Sequence, residues 1–346
     1  MASENRIVYW DNLKIFLISL VVIGHFADYM SSLRVAGTVV LFAYAFHMQF
    51  FFFVSGIFHK YDEKHRFRMD RVLYFVLLGL AMKAAIYFGE KIAGANPKWD
   101  FLTENNVPWF MFVLAAYMTV SYLLRRVSPK IVLPVAIALA LAAGYFDFTA
   151  DYFCLSRMLV FFPFYYAGFC IKPDAVLRFF KRKIVKILGV LFLIALFFAL
   201  FIGYDVLSPI LKPVWYARFT YSEMPYPQYG ILLRLSQYII AVLSIVGIGA
   251  LIPQKKIFFL SNAGARTIPV YAIHYFVLRI IVAFGVNDFL VLNFQNIGVL
   301  IWLFCAVLAT LVLSLPVFDI PFKLMQKAVS VIVFKFRDLI PRKLKL

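Results

Sequence analysis

Cysteine is rare in this chain of 346 residues: Cys154, Cys170 and Cys305 are the full set. Their spacing suits no metal site, and each lies in or beside an apolar run, so no metal centre is expected and the three read as lipid-facing or core residues. Acidic residues are also few, 17 against 35 Lys and Arg, which leaves a formal charge of +18. In a chain built of membrane spans, such basic residues record orientation and contact with anionic lipid, so membrane lipid is an expected partner and nucleic acid is not. Long polar stretches are missing too. No separate soluble domain is left over, so any chemistry must be built from membrane helices and their loops. Three further absences narrow the reading. The first apolar segment has no A-x-A cleavage site and is followed at once by more apolar runs, so it reads as a helix and not as a removable signal. No G-x-S-x-G elbow is present, which removes the usual serine nucleophile. No repeat, inverted or direct, is legible, and that weakens a transporter reading.

What is present is apolar: 64% of the residues are hydrophobic, against an ordinary soluble content of about 45–50%. Runs long enough to cross a bilayer recur along the chain. They predict an all-α integral membrane protein of about ten transmembrane helices, near 10–30, 35–58, 72–95, 109–124, 131–146, 156–171, 184–203, 231–252, 268–286 and 297–318. Alternate connections, 59–71, 125–130, 172–183 and 254–266, are rich in Lys and Arg, and the intervening ones are not. The positive-inside rule then places both termini in the cytoplasm. The domain expectation is a transmembrane unit over 1–320 and a basic tail over 321–346, the tail forming an amphipathic helix on the inner leaflet. The connection 204–229, with four Pro and several Tyr and Trp, reads as a long outer loop, either functional or a packing cap.

The first span, DNLKIFLISLVVIGHF, carries Asp11, Lys14 and His25, with Asp28 one turn further on. Lys14 and His25 are eleven residues apart, within about 20° of one helix face but about 16 Å apart along the axis. They cannot touch, yet could hold opposite ends of one extended ligand. Buried ionisable groups in lipid cost several kcal/mol and usually face an interior or a watery cavity where they work, which makes His25 a functional candidate. Asp11 and Lys14 have an alternative: snorkelling to the interface as an i, i+3 pair. The second span holds His47 and the Ser55–Gly56 pair, which reads as close helix packing and not as a nucleophile. Lys83, Arg157, Arg234, Arg279 and His274 add to the intramembrane polar set. A proton-coupled transporter or flippase using Asp11, Lys14, His25 and His47 as a polar pathway is the alternative reading of these charges.

YWDNLKIFLISLVVIGHF, FHMQFFFFVSGIF, the basic loop ending at Arg71, PWFMFVLAAY, FFPFYYAGF and TIPVYAIHYFVL occur in that order. In these motifs the chain resembles the membrane-bound acyltransferase-3 family, over nearly its whole length, and is most similar to the single-domain branch of fucose 4-O-acetylase-like proteins. Family members place a basic residue, ten positions and a histidine on the first helix; here these are Lys14 and His25, with Lys where many relatives have Arg. Lys keeps the charge but not the planar two-pronged contact.

The resemblance implies acyl transfer, with acetyl-CoA as donor substrate and no permanently bound cofactor, onto a hydroxyl of an extracytoplasmic or lipid-linked glycan, in a bacterial cytoplasmic membrane. It implies His25 as the catalytic base, with Asp11 or Asp28 as candidates to orient it, and Lys14, Arg71, Arg68 and Arg66 as donor-binding residues. Trp109, Phe110, Tyr271 and His274, together with His47 and Ser55, are the implied pocket. An additional esterase-like domain, carried by some relatives, is not found in the sequence. The oligomeric state is left open.

Overall fold

The computed structural model describes residues 8–59, 67–92, 94, 96–100, 102–104, 106–149 and 152–339. Within them the chain is helical, with an isolated bridge between Thr103 and Tyr152. Among the described residues, helix covers most of each expected segment. Six helices, the pair 34–58 counted as one, are long and apolar enough to cross a membrane by length and composition: Val8–Asp28, Arg34–Phe58, Met69–Ile92, Lys183–Ile202, Pro227–Leu251 and Val286–Leu313. Three more, Pro129–Tyr145, Leu155–Cys170 and Thr267–Ala283, are apolar but shorter. The protein is therefore a multi-pass membrane protein.

Three features depart from the expected run of spans. The second span is two helices, α2 (Arg34–Tyr44) and α3 (His47–Phe58), after α1 (Val8–Asp28). Phe46 leaves helical geometry at φ −149°, ψ −18°, so the break falls near mid-span. The connection expected as a loop over 204–229 begins instead as a helix, Tyr204–Tyr216, that contains Pro209 and Pro213. Its two prolines are four apart and so lie on one side, where their missing N–H groups weaken the same face. The last span starts earlier than its apolar run. Val286–Leu313 takes in the 287–296 stretch expected as a loop, and it is bent at Gln295, whose φ of 47° is left-handed.

We number the helices that frame the site in chain order: α4 (Met69–Ile92), α5 (Trp109–Leu123), α6 (Pro129–Ala142), α7 (Leu155–Cys170), α8 (Pro173–Phe180), α9 (Lys183–Ile202), α10 (Tyr204–Tyr216), α11 (Gly230–Leu251), α12 (Phe258–Ala263), α13 (Thr267–Ala283), α14 (Val286–Leu313) and α15 (Pro316–Leu339). One apolar core gathers α1, α4, α5, α7, α13 and α14 around Phe26, Phe52, Tyr117 and Trp302. A second joins the first turns of α1 to α3, α9, α10 and α11. Trp302 donates its indole N–H to the Phe26 carbonyl at 2.7 Å and fastens α14 to α1. Helix α3 crosses α7 at close range. There, a side chain at Gly56 would meet the Tyr165 carbonyl, and one at Gly168 the Phe53 carbonyl. Small residues that let backbones meet are the usual device of helix association in lipid. The basic tail begins within α15, which packs on α4 and α13.

A histidine-lined cavity at the helix break

The end of α1, the break between α2 and α3, the starts of α5 and α7 and the middle of α13 line a cavity of about 300 Å³. His25, Tyr44, His47, Trp109, Arg157 and Tyr275 are among the side chains on its wall. Tyr44 is the last residue of α2 and His47 the first of α3, so the broken span delivers a phenol and an imidazole at mid-depth. His47 Nδ1 lies 2.7 Å from the Ala43 carbonyl. A carbonyl only accepts, so Nδ1 carries the proton, and the ring adds a second bond to a carbonyl that also takes the Phe46 N–H at 3.3 Å.

His25 stands at the centre of a ring cluster. Its ring centroid is 5.4 Å from that of His274, 5.5 Å from Tyr275 and 6.3 Å from Tyr44. The Tyr44 hydroxyl is 3.5 Å from His25 Nδ1, at the limit of a hydrogen bond. Asp28 also lines the cavity but is engaged elsewhere, by Lys212 at 3.0 Å and the Tyr216 hydroxyl at 3.1 Å, both from α10. Across the cavity, Arg157 places its guanidinium 4.9 Å from the Trp109 ring centre and donates to the Glu104 carbonyl at 3.3 Å. Arg157 is 7% exposed. The Glu104 carboxylate itself is 3.0 Å from Lys83 on α4. A buried guanidinium facing a cavity that also holds an imidazole can stabilise negative charge as it develops on a substrate oxygen.

The other sequence candidates fall around this centre. Phe110 packs on Phe52 and Tyr271, at 4.7 and 5.2 Å between rings, and does not line the cavity. Tyr271 donates to the Val107 carbonyl, tying α13 to the start of α5. His274 is fully buried behind His25. Ser55 is half-buried on α3, beside the glycine contact with α7.

Asp11 and Lys14 are not at the cavity. They pair with each other at 2.9 Å near the start of α1. The same end of the molecule carries the end of α3, where Phe58 meets Trp10 edge-on at 5.4 Å. His59, next after Phe58, accompanies Tyr165 and feels the charge of Arg71 at the start of α4. Arg68 grips Asp70 through two hydrogen bonds of 2.8 and 2.7 Å. Arg66 lies outside the described residues. Lys14, Arg68 and Arg71 thus lie toward the same end of the bundle, opposite Asp28, while His25 is about 16 Å from Lys14 along α1.

Sequence reasoning missed the contribution of α10 and the turn after it: Trp215, Tyr216, Arg218 and Phe219 all line the cavity. Ala217 makes that possible, since its left-handed φ of 53° ends α10 and turns the chain inward. The signal available was the density of aromatics in 204–229. Tyr44 carried no signal beyond its place near a histidine. Among the described residues, no three His, Cys, Asp or Glu side chains are grouped to hold a metal ion.

The acyltransferase-3 family profile, described as an acyltransferase domain, matches residues 7–319. The chain belongs to the acyltransferase-3 family. No curated protein and no solved structure matches it. The protein is thus a membrane acyltransferase, and the family match takes in every helix that forms the cavity.

Proposed function

We propose that this acyltransferase moves an acetyl group from cytoplasmic acetyl-CoA to a hydroxyl of an extracytoplasmic or lipid-linked glycan, with His25 as general base. The observation that carries this reading is the cavity itself. It lies at the break in the middle of the 34–58 span, combines two imidazoles, two guanidiniums and several phenols, and has Lys14 toward the opposite end of α1 from Asp28. With both termini in the cytoplasm, Lys14 and Arg71 lie where the phosphates of CoA arrive, and the pantetheine arm spans the length of α1 between Lys14 and His25. The acceptor comes from the opposite face, past Tyr216 and Arg218.

His25 takes the proton of the acceptor hydroxyl while its oxygen attacks the thioester carbonyl carbon. Charge gathers on the carbonyl oxygen, for which Arg157 is the available cation. When the C–S bond breaks, the CoA thiolate leaves and takes the proton from the His25 imidazolium. General base catalysis of this kind supplies about 10²- to 10⁴-fold in rate. Neither Asp11 nor Asp28 is needed in these steps; Asp11 belongs with Lys14 at the donor end. The test is transfer from labelled acetyl-CoA to saccharide acceptors by the purified protein. His25→Ala should lower kcat at least about 100-fold without loss of the folded state. A variant with undiminished transfer overturns the assignment.

A further inference from the structure

His274 does not line the cavity, yet it presents an unusual group to His25. Its Nδ1 lies 3.0 Å from the Val270 carbonyl and 2.8 Å from the Tyr271 carbonyl. Both partners only accept, so Nδ1 carries the proton and Nε2 is a bare lone pair. The residue is 0% exposed, and Nε2 has no hydrogen-bond partner among the described residues. A buried acceptor left in this state costs about 1–3 kcal/mol. The ring beside it is His25, 5.4 Å away centre to centre and tilted by 36°. At that separation a ring N–H of His25 is within reach of that lone pair.

We infer that His274 is the positioning residue for His25: its Nε2 accepts a hydrogen bond from one nitrogen of His25, so that the other, beside Tyr44, is bare toward the acceptor hydroxyl. This rests on the acetyl-transfer reading and adds to it which group fixes the base. Catalytic histidines are commonly held by a carboxylate, but both carboxylates of α1 are committed, Asp28 to Lys212 and Tyr216, and Asp11 to Lys14. The remaining groups around His25 are Tyr44 from α2, His47 from α3, Arg157 from α7 and Tyr275 from α13. None of them offers an acceptor with its tautomer already fixed by the backbone except His47, which lines the cavity itself and so faces substrate. The proton balance is simple. His25 gains the hydroxyl proton at its bare nitrogen and returns it to the thiolate, while the proton shared with His274 stays between the rings.

The experiment is steady-state kinetics of the full-length protein in detergent, on His274→Phe, which fills the space without an acceptor, and on His274→Gln, which keeps one. For the Phe variant, kcat should fall about 10- to 100-fold with the KM for acetyl-CoA unchanged. The Gln variant should keep most of the activity, and in a His25→Ala background the Phe substitution should change nothing further. His274→Asn, too short to reach His25, replaces the Phe variant if that chain does not fold. A kcat within about twofold of wild type for the acceptor-free variant, an equal loss for Gln and Phe, or a further loss in the His25→Ala background overturns the inference. Wild-type protein that transfers no acetyl group sinks the functional reading instead, a result that His274 variants cannot mimic.

Discussion

Replacing Gly56 or Gly168 by alanine tests how tightly the cavity depends on the α3–α7 crossing. An ideal Cβ on Gly56 would lie 2.0 Å from the Tyr165 carbonyl oxygen, and one on Gly168 2.0 Å from the Phe53 carbonyl oxygen. Both obstacles are backbone, so no side chain can swing away. Restoring ordinary contact requires the helices to part by at least about 1.4 Å. Overpacking of this kind costs about 1–3 kcal/mol, and with rigid backbone on both sides the upper end applies. Against it, alanine gains about 0.5–1 kcal/mol of helix propensity over glycine. Each single variant should therefore lose about 2 kcal/mol, read as a lower midpoint in thermal unfolding followed by tryptophan fluorescence. The double variant is the sharper measurement. One separation relieves both clashes while the propensity gain counts twice, so the pair should be no less stable than either single, a strong departure from additivity. Because α3 carries His47 and α7 carries Arg157, the same displacement should cut transfer about 100-fold at unchanged protein concentration. An additive double variant, or full activity in both singles, refutes the close crossing as the element that sets the cavity.

Two further outcomes follow from the donor end. Lys14→Met removes the cation 2.9 Å from the largely buried Asp11 carboxylate and should cost about 2 kcal/mol of stability, with a higher KM for acetyl-CoA. Adding Asp11→Asn should restore the unfolding midpoint and leave KM high; a KM that recovers together with stability makes Lys14 structural only. His59, just past the end of α3, is pushed down to about 4 by burial and then by Arg71. The unfolded chain, with an ordinary imidazole, binds a proton that the folded one does not. Stability is thus full above about 6.5 and falls toward pH 4 by at most about 1.4 kcal/mol per pH unit. His59→Gln should flatten midpoint against pH across that window, and an unchanged slope assigns the acid sensitivity to other groups.

The spans were legible because apolar runs must match the bilayer, and the Lys14 to His25 spacing was legible because helix geometry is periodic. The break between α2 and α3 was not. AYAFHMQF contains no glycine or proline, and a mostly apolar run looks the same whether its hydrogen bonds continue or are interrupted. Two contacts mark the break: the His47 side chain bonds the Ala43 carbonyl one turn back, and, from outside the span, Tyr216 of α10 packs on Tyr44 at 5.1 Å. The prolines of 204–229 misled in the opposite direction. Pro209 and Pro213 suggested a loop, but α10 packs on α2, α9 and α11, and that packing outweighs two missing hydrogen bonds. Asp28 could be placed near His25 by angle alone, whereas its capture by Lys212 depended on a helix the sequence had hidden.

The arrangement also explains why so costly a set of polar groups is kept at mid-depth. A continuous helix over 34–58 would put Tyr44 and His47 at consecutive turns and leave no open end there. Breaking the span turns the last residue of α2 and the first of α3 toward α1, and exposes backbone that only an internal cavity can accommodate in a membrane. Several polar wall groups then have fixed partners: His47 the Ala43 carbonyl, Asp28 Lys212 and Tyr216, and Arg157 the Glu104 carbonyl and the Trp109 ring. His25 is different, since its contact with Tyr44 is long and its neighbour His274 holds an unused lone pair. A residue that must accept and return a proton within one turnover benefits from that difference, because its reacting nitrogen has no firm bond to break before it acts, while His274 can hold the other nitrogen throughout.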